Sequence, residues 1–186
     1  MTVDVVIPTS GRPSLARVLA ALDGASVILV DDRARADVPL PSAPGIRVVR
    51  GPARGPAAAR NAGWRAGTAP WVAFLDDDVE PGADWLAALH ADLAGAPDDA
   101  DGVQGRIVVP LPRDRRPTDW ERSTAGLERA RWATADLAYR RAALERVGGF
   151  DERFPRAYRE DADLGLRMTA TGRRIVLGAR SVRHPV

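Results

Sequence analysis

Three groups of carboxylates stand out as residues able to do chemistry. Asp76, Asp77 and Asp78 close a short apolar run, Trp71-Val72-Ala73-Phe74-Leu75, and a Pro81-Gly82 turn follows them. Asp31 and Asp32 close a second apolar run, Ser26–Val30, and Glu160, Asp161 and Asp163 open a stretch with helical spacing. Adjacent carboxylates repel one another unless a cation or solvent relieves them. An oxygen-only set suits a hard ion, Mg²⁺ or Mn²⁺, of the kind commonly shared with substrate phosphates. A solvated acidic turn is the plain alternative for Asp76–Asp78. A helix N-terminus that favours acids is the plain alternative for Glu160–Asp163. Of the two histidines, His184 follows a late strand-like run, while His90 sits in an amphipathic segment and reads as surface.

Composition removes several chemistries. The chain has no cysteine, so disulfides, zinc–thiolate sites and thiol nucleophiles are excluded. It also has no lysine; all 27 strongly basic residues are Arg, which excludes a P-loop lysine and Schiff-base chemistry. Net charge is only +2, a weak case for a nucleic-acid partner despite the high isoelectric point. No apolar run is long enough to cross a membrane, and the N-terminus lacks a signal-peptide pattern, so a cytoplasmic location is the default expectation. At 186 residues, one domain with a proper core is expected.

The elements that must position these residues alternate. Val3–Pro8 reads as a strand, and Thr9–Pro13 as a tight polar loop. Leu15, Val18, Leu19 and Leu22 recur at helical spacing, and Ser26–Val30 is a second strand. Such a unit implies parallel strands. Asp32 and the Pro8–Arg12 loop therefore share one sheet edge, where α/β proteins bind ligands. Arg33–Gly45 reads as a Pro-rich loop, Ile46–Val49 as a strand, Ala57–Ala66 as a small-residue helix and Trp71–Leu75 as a buried strand. Further on, a helix from Trp85, a solvated acidic turn at Asp98–Asp101 and a strand at Val103–Val109 are expected. A mobile loop at Leu111–Thr118 and a helix over Trp120–Arg131 follow. Ala133–Tyr139 is a short apolar segment, and Arg140–Val147 and Glu160–Met168 are helical. Arg173–Leu177 reads as a strand, and Ser181–His184 is a separate segment that closes the chain. Trp64, Trp71 and Trp85 read as core.

In this order the landmarks resemble a family. Val6-Ile7-Pro8-Thr9 with Arg12-Pro13, then Val30-Asp31-Asp32, Ala59-Arg60-Asn61-Ala62-Gly63 and Phe74-Leu75-Asp76-Asp77-Asp78 look like the nucleotide-sugar half of family 2 glycosyltransferases. Gly148-Gly149-Phe150-Asp151-Glu152 and Glu160-Asp161-Ala162-Asp163-Leu164 with Arg167 look like the acceptor half. The resemblance implies an α/β fold of the GT-A type, a three-layer sandwich around a mixed, mostly parallel sheet. One catalytic domain is implied over 1–186, with 1–101 for the nucleotide sugar and 102–186 for the acceptor.

The resemblance also implies roles. Asp161 matches the general base of an inverting transferase, with Glu160 orienting the acceptor. Asp76 and Asp78 match an Asp-x-Asp pair holding Mn²⁺ or Mg²⁺, Asp78 more directly, and His184 matches a C-terminal histidine that binds metal or diphosphate. Asp32 matches the residue that meets the nucleobase, with Pro8 and Thr9 lining the same pocket. Asp77 falls to ribose or bound water, and Arg12 and Arg60 to diphosphate or ribose. Trp132 and Asp136 are candidates for the acceptor wall, beside Tyr139. The donor is a nucleotide diphospho-sugar, UDP-linked by default, and the acceptor a saccharide, lipid-linked or small-molecule alcohol. The usual helix after the second strand is replaced by the Arg33–Gly45 loop. Many relatives continue past His184 with helices that shape the acceptor site or reach a membrane. A nucleotide-sugar-binding domain of reduced activity, or a fragment of a larger transferase, is the other reading. A nucleotidylyltransferase would want a catalytic Lys, and a haloacid-dehalogenase-type phosphatase would want its Asp-x-Asp after the first strand.

Overall fold

The computed structural model describes residues 1–186. Its strands are β1 (Val3–Thr9), β2 (Ser26–Asp31), β3 (Ile46–Arg50), β4 (Trp71–Leu75), β5 (Glu80–Pro81), β6 (Ala100–Val108), β7 (Asp136–Arg140) and β8 (Arg174–Arg183). They form one eight-stranded sheet in the order β3-β2-β1-β4-β7-β6-β8-β5. The first four long strands are mutually parallel, and β7 runs antiparallel between β4 and β6. β8 returns parallel to β6, and β5 pairs antiparallel with the end of β8. The C-terminal ends of β1, β2, β4, β6 and β8 therefore meet the start of β7 along one edge.

The helices are α1 (Leu15–Ala20), α2 (Pro56–Ala66), α3 (Trp85–Ala94), α4 (Asp119–Ala125), α5 (Arg141–Val147) and α6 (Glu160–Thr169). They cover both faces, which is why β1, β2 and β4 read as continuous apolar runs rather than alternating ones. Period-two geometry still sorts their side chains. Val5, Ile7, Leu29 and Ala73 join Leu15, Val18, Trp85 and Leu89 in one core. Val6, Ile28, Val30 and Phe74 join Ala57, Ala59, Trp64 and Leu164 in the other. Helix α2 packs closely because its inner face is small: a Cβ on Gly63 would run into Val6 and Val30. Trp64, Trp71 and Trp85 are all buried, as expected.

Four expectations change. Asp98 and Asp99 are exposed, but Asp101 is buried inside β6, paired with Arg173 at 3.1 Å and with Arg146. Strand β6 therefore begins at Ala100, three residues earlier than periodicity suggests, because ion pairs neutralise its acid. The register shifts of β6 against β8 fall next to Gly102 and Gly105. The helix over Trp120–Arg131 is α4 followed by a 3₁₀ turn at Gly126–Arg129, and α4 opens on a Thr118–Glu121 capping box. The two closing segments are one ten-residue strand, β8. The Arg33–Gly45 loop carries no helix and is anchored where Arg33 donates to both Asp31 oxygens at 2.8 and 2.9 Å. No helix is long and apolar enough to cross a membrane.

Candidate active site

The shared strand edge opens into a cleft of about 740 Å³. Pro8, Thr9 and Arg12 reach it from the end of β1 and the loop behind it, and Asp32 from the end of β2. Asp76, Asp77 and Asp78 follow β4, Arg60 comes from α2, Glu160 and Asp161 from the start of α6, and His184 from the end of β8. Eighty-three residues of sequence separate Asp78 from Asp161, yet both line this one cavity.

The three adjacent aspartates have three different environments. Asp76 lies against buried Arg60, whose Nη2 donates to Asp76 Oδ1 at 2.7 Å. Asp77 is buried and accepts from Thr9 Oγ1 at 2.5 Å, tying the ends of β1 and β4 together. Burial pushes the Asp77 carboxyl up, against the Thr9 hydrogen bond. Asp78 is as exposed as Asp76 and sits between an arginine and a histidine. Arg12 Nη1 is paired with its Oδ2, and His184 Nε2 lies 3.7 Å from its Oδ1.

Arg60 joins the two halves of the site. Its Nη1 donates to Glu160 Oε1 at 2.9 Å while Nη2 holds Asp76. Burial works against its charge, but the two carboxylates outweigh that and raise its pKa. Its Nε is a buried donor without a partner. The expectation that Arg60 faces diphosphate or ribose thus becomes a buried bridge between strand and helix carboxylates. Glu160 is pushed up by burial, with Arg60 pulling the other way. Asp161 is also pushed up, first by burial and further by the charge of Asp76. Its Oδ1 accepts the Ala162 amide at 2.7 Å, which fixes the carboxylate at the helix start.

A second link explains the Arg60-Asn61 pairing in the sequence. Asn61 Nδ2 donates to the Phe150 carbonyl at 2.8 Å and to Glu152 at 2.9 Å, and Asn61 Oδ1 accepts the Phe150 amide at 2.9 Å. Gly149, at φ +76, lies so close to Asn61 and Trp64 that a Cβ would collide with both. The Gly-Gly-Phe turn is therefore clamped to α2, and Phe150 lies under the Arg60 guanidinium, 5.7 Å from its centre.

Asp32 lines the cleft, and its Oδ1 accepts the Ala53 amide at 2.7 Å. Burial raises its pKa, whereas its neighbour Asp31 is lowered by Arg33. All three residues expected on the acceptor wall lie elsewhere. Asp136 is fully buried and faces away from the cleft, accepting from Trp85 Nε1 at 3.0 Å and Arg180 Nε at 2.8 Å. Trp132 lies beside the cavity rather than on its wall; it packs over Gly165, where a Cβ would strike the indole. Tyr139 is buried in the core with its hydroxyl unpartnered. Asp76, expected to share a cation, has one oxygen committed to Arg60. The structure also adds Trp120, Arg131, Tyr158 and Arg159 to the cleft wall. Nothing in their spacing marks them: Trp120 stands exposed on α4, and Arg131, Tyr158 and Arg159 come from irregular segments.

No cluster of three acidic or histidine side chains is preassembled for a metal ion. Asp78 and His184 form a two-ligand corner open to the cleft, which fits an ion that takes its remaining ligands from phosphate oxygens and water.

The family model for "Glycosyl transferase family 2" matches residues 4–163. The chain belongs to the glycosyl transferase family 2. Curated relatives include a pre-mycofactocin glycosyltransferase of Mycobacterium tuberculosis, 33% identical over 93% of this chain and 40% of the relative. The chain thus spans about two-fifths of the curated relatives it matches. Among solved structures, the mannosyltransferase PcManGT from Pyrobaculum calidifontis, in complex with GDP-Man and Mn²⁺, aligns with TM-score 0.66 at 20% identity, over 97% of this chain and 56% of that one. S. aureus TarS with UDP-GlcNAc aligns at 0.69 and 17% identity, over 100% and 59%. GalNAc-T7 with UDP, GalNAc and Mn²⁺ aligns at 0.73 and 16% identity, over 100% and 44%. At these identities the likeness shows the fold, and the fold of this family member is GT-A.

Proposed function

We propose that residues 1–186 form one catalytic domain of an inverting, metal-dependent glycosyltransferase. It moves a sugar from a nucleoside diphosphate donor, UDP-linked by default, to an acceptor hydroxyl. One observation carries the reading. Asp78, able to take a cation, and Asp161, a carboxylate of raised pKa, line the same cleft although they come from opposite halves of the chain. Structural neighbours crystallised with GDP-Man and Mn²⁺ or with UDP-GlcNAc support the donor class.

Residues at the β1 and β2 ends take the nucleotide: Asp32 the base, Pro8 and Thr9 the pocket floor, with Asp77 holding Thr9 in place. Arg12, exposed and paired with Asp78, is placed to meet diphosphate oxygens. Asp78 and His184 would hold Mn²⁺ or Mg²⁺, and the imidazole nitrogen favours Mn²⁺ of the two. Such an ion, when bound, neutralises charge on the departing diphosphate. Asp161 accepts the acceptor's hydroxyl proton as the new C–O bond forms and the anomeric carbon's bond to diphosphate breaks. A carboxylate of raised pKa suits that work because its proton affinity is better matched to the task. Glu160, fixed by Arg60, sets the direction from which the acceptor approaches.

The second reading, a nucleotide-sugar-binding piece of a larger transferase, draws on the chain's 40% coverage of its curated relatives. Calorimetry of UDP and GDP with and without Mn²⁺, followed by assays of donor hydrolysis and transfer, separates the two. Metal-dependent binding with turnover supports catalysis by this domain; binding without turnover supports the second reading. Asp161→Asn should lower turnover by about 10²- to 10⁴-fold, the usual value of a positioned base. Full activity in that variant would remove Asp161 from the role.

A further inference from the structure

The far wall of the cleft does not resemble the carboxylate-rich wall. Trp120 on α4 and Tyr158 on the turn before α6 both line the cavity, yet they are 73% and 67% exposed. Large aromatics left open beside a cavity bind flat or ring-shaped groups by stacking. Arg131 and Arg159 line the same wall, both are exposed, and neither has a carboxylate within ion-pair distance. The other two arginines of the cleft, Arg12 and Arg60, are both paired with carboxylates.

The backbone around these residues is held in costly conformations. Arg159 has φ +69° at the N-cap of α6, and Trp132, the residue after Arg131, has φ +67°. Only three non-glycine residues in the chain have positive φ, and two of them flank this wall. Such conformations cost on the order of 1 kcal/mol each and tend to persist where a site requires them. The Arg159 guanidinium lies 5.2 Å over the Tyr158 ring, which pairs a cation with a stacking surface.

We infer that this wall is an acceptor subsite for a ring-bearing molecule that carries an anionic group, with Trp120 and Tyr158 stacking the ring and Arg131 and Arg159 receiving the charge. The inference rests on the transferase reading above and names the acceptor's chemical class. Carboxylate and phosphate share the required chemistry. The planar guanidinium fork serves either one bidentately.

The test uses the wild-type chain and the double variant Arg131→Gln/Arg159→Gln, each titrated by calorimetry with and without UDP and Mn²⁺. The probes are 4-hydroxyphenylacetate, its neutral amide, and 4-hydroxyphenyl phosphate. The wild type should bind at least one anionic probe about 10-fold or more tightly than the amide, the range of one charge-assisted hydrogen bond. Which anion wins identifies the group. The double variant should lose that preference while its UDP affinity stays unchanged. Equal binding of acids and amide, or a double variant that loses UDP instead, overturns the subsite, the latter because the arginines would then serve the donor. Trp120→Ala should weaken all three probes alike, and no change there removes the stacking role. An acid preference in a wild type that binds neither UDP nor GDP supports the anion subsite but overturns the transferase reading; nucleotide binding without the preference does the reverse.

Discussion

Two buried arginines, each between two carboxylates, show how the same chemistry can hold up a core or serve a site. Arg180, on β8, has no exposed side-chain surface. Its Nε donates to Asp136 at 2.8 Å, Nη1 to Asp92 at 2.9 Å and Nη2 to the Val103 carbonyl at 2.8 Å. All its nitrogens are satisfied, and its carboxylates are nearly as dry. Arg60 has 4% side-chain exposure and also joins two acids, but its Nε has no partner and Asp76 is 27% exposed. Completeness marks the structural network. A spare donor and a partly open acid mark the one that opens onto the cleft.

The largest expected effect is on the closed network. Arg180→Met should cost about 3–5 kcal/mol in urea unfolding, because it strands Asp136 and Asp92 without their cation. A loss under about 1 kcal/mol would mean that the network is decorative. Arg60→Met should cost less, about 1–3 kcal/mol, because Asp76 can rehydrate from the cleft. Its catalytic effect should be large, about 10²-fold in turnover, as expected when a reacting carboxylate loses its alignment. Arg60 also holds the Asp161 carboxyl down, so the acid limb of kcat/KM should move to higher pH in the variant. A variant with the stability loss, normal turnover and an unmoved limb would make Arg60 as structural as Arg180.

That distinction was only partly legible in the sequence. Runs such as Val3–Thr9 and Trp71–Leu75 are largely apolar and end at polar residues, so the parallel strands and the edge that collects Asp32 and Asp76–Asp78 follow from pattern, whereas Asp161 joins them only through the family resemblance. Asp136 misled because an aspartate at the start of a strand near the expected site looks like site chemistry. Its partner Arg180 lies forty-four residues away and carries no local signal. Asp101 misled for the same reason, being neutralised by Arg146 and Arg173 from other elements. Arg131, Tyr158 and Arg159 escaped because periodicity says nothing about irregular segments, and Trp120 because an exposed aromatic on α4 carries no signal of what it faces.

For the wild type, the acid limb itself should lie above the ordinary aspartate value of about 3.9, since burial and Asp76 both push Asp161 up. A limb at or below that value, measured as kcat/KM against pH, would mean that another group titrates.

The smallest effect tests the comparison by its sign. Asp136 and Asp161 are both carboxylates raised by burial. Asp136→Asn removes a partner of Arg180 and leaves that cation buried beside Asp92 alone, so it should destabilise at neutral pH. Asp161 has no cation in direct contact. Its native carboxyl binds a proton more tightly than its unfolded one, so native stability is greatest below the ordinary aspartate pKa. That stability is lost as pH rises through the raised native value, because the folded chain must then ionise a group its surroundings disfavour. Asp161→Asn removes the cost, and at neutral pH it should raise stability by about 0.5–2 kcal/mol while lowering turnover by about 10²- to 10⁴-fold, the usual exchange at a functional site. Below the ordinary aspartate pKa the gain should vanish, because the wild-type carboxyl is then neutral in both states. Urea unfolding of both variants across that pH range reads the signs directly. If Asp161→Asn destabilises as Asp136→Asn does, the cleft carboxylate is a fixture of the fold, and the two arginine networks do the same job.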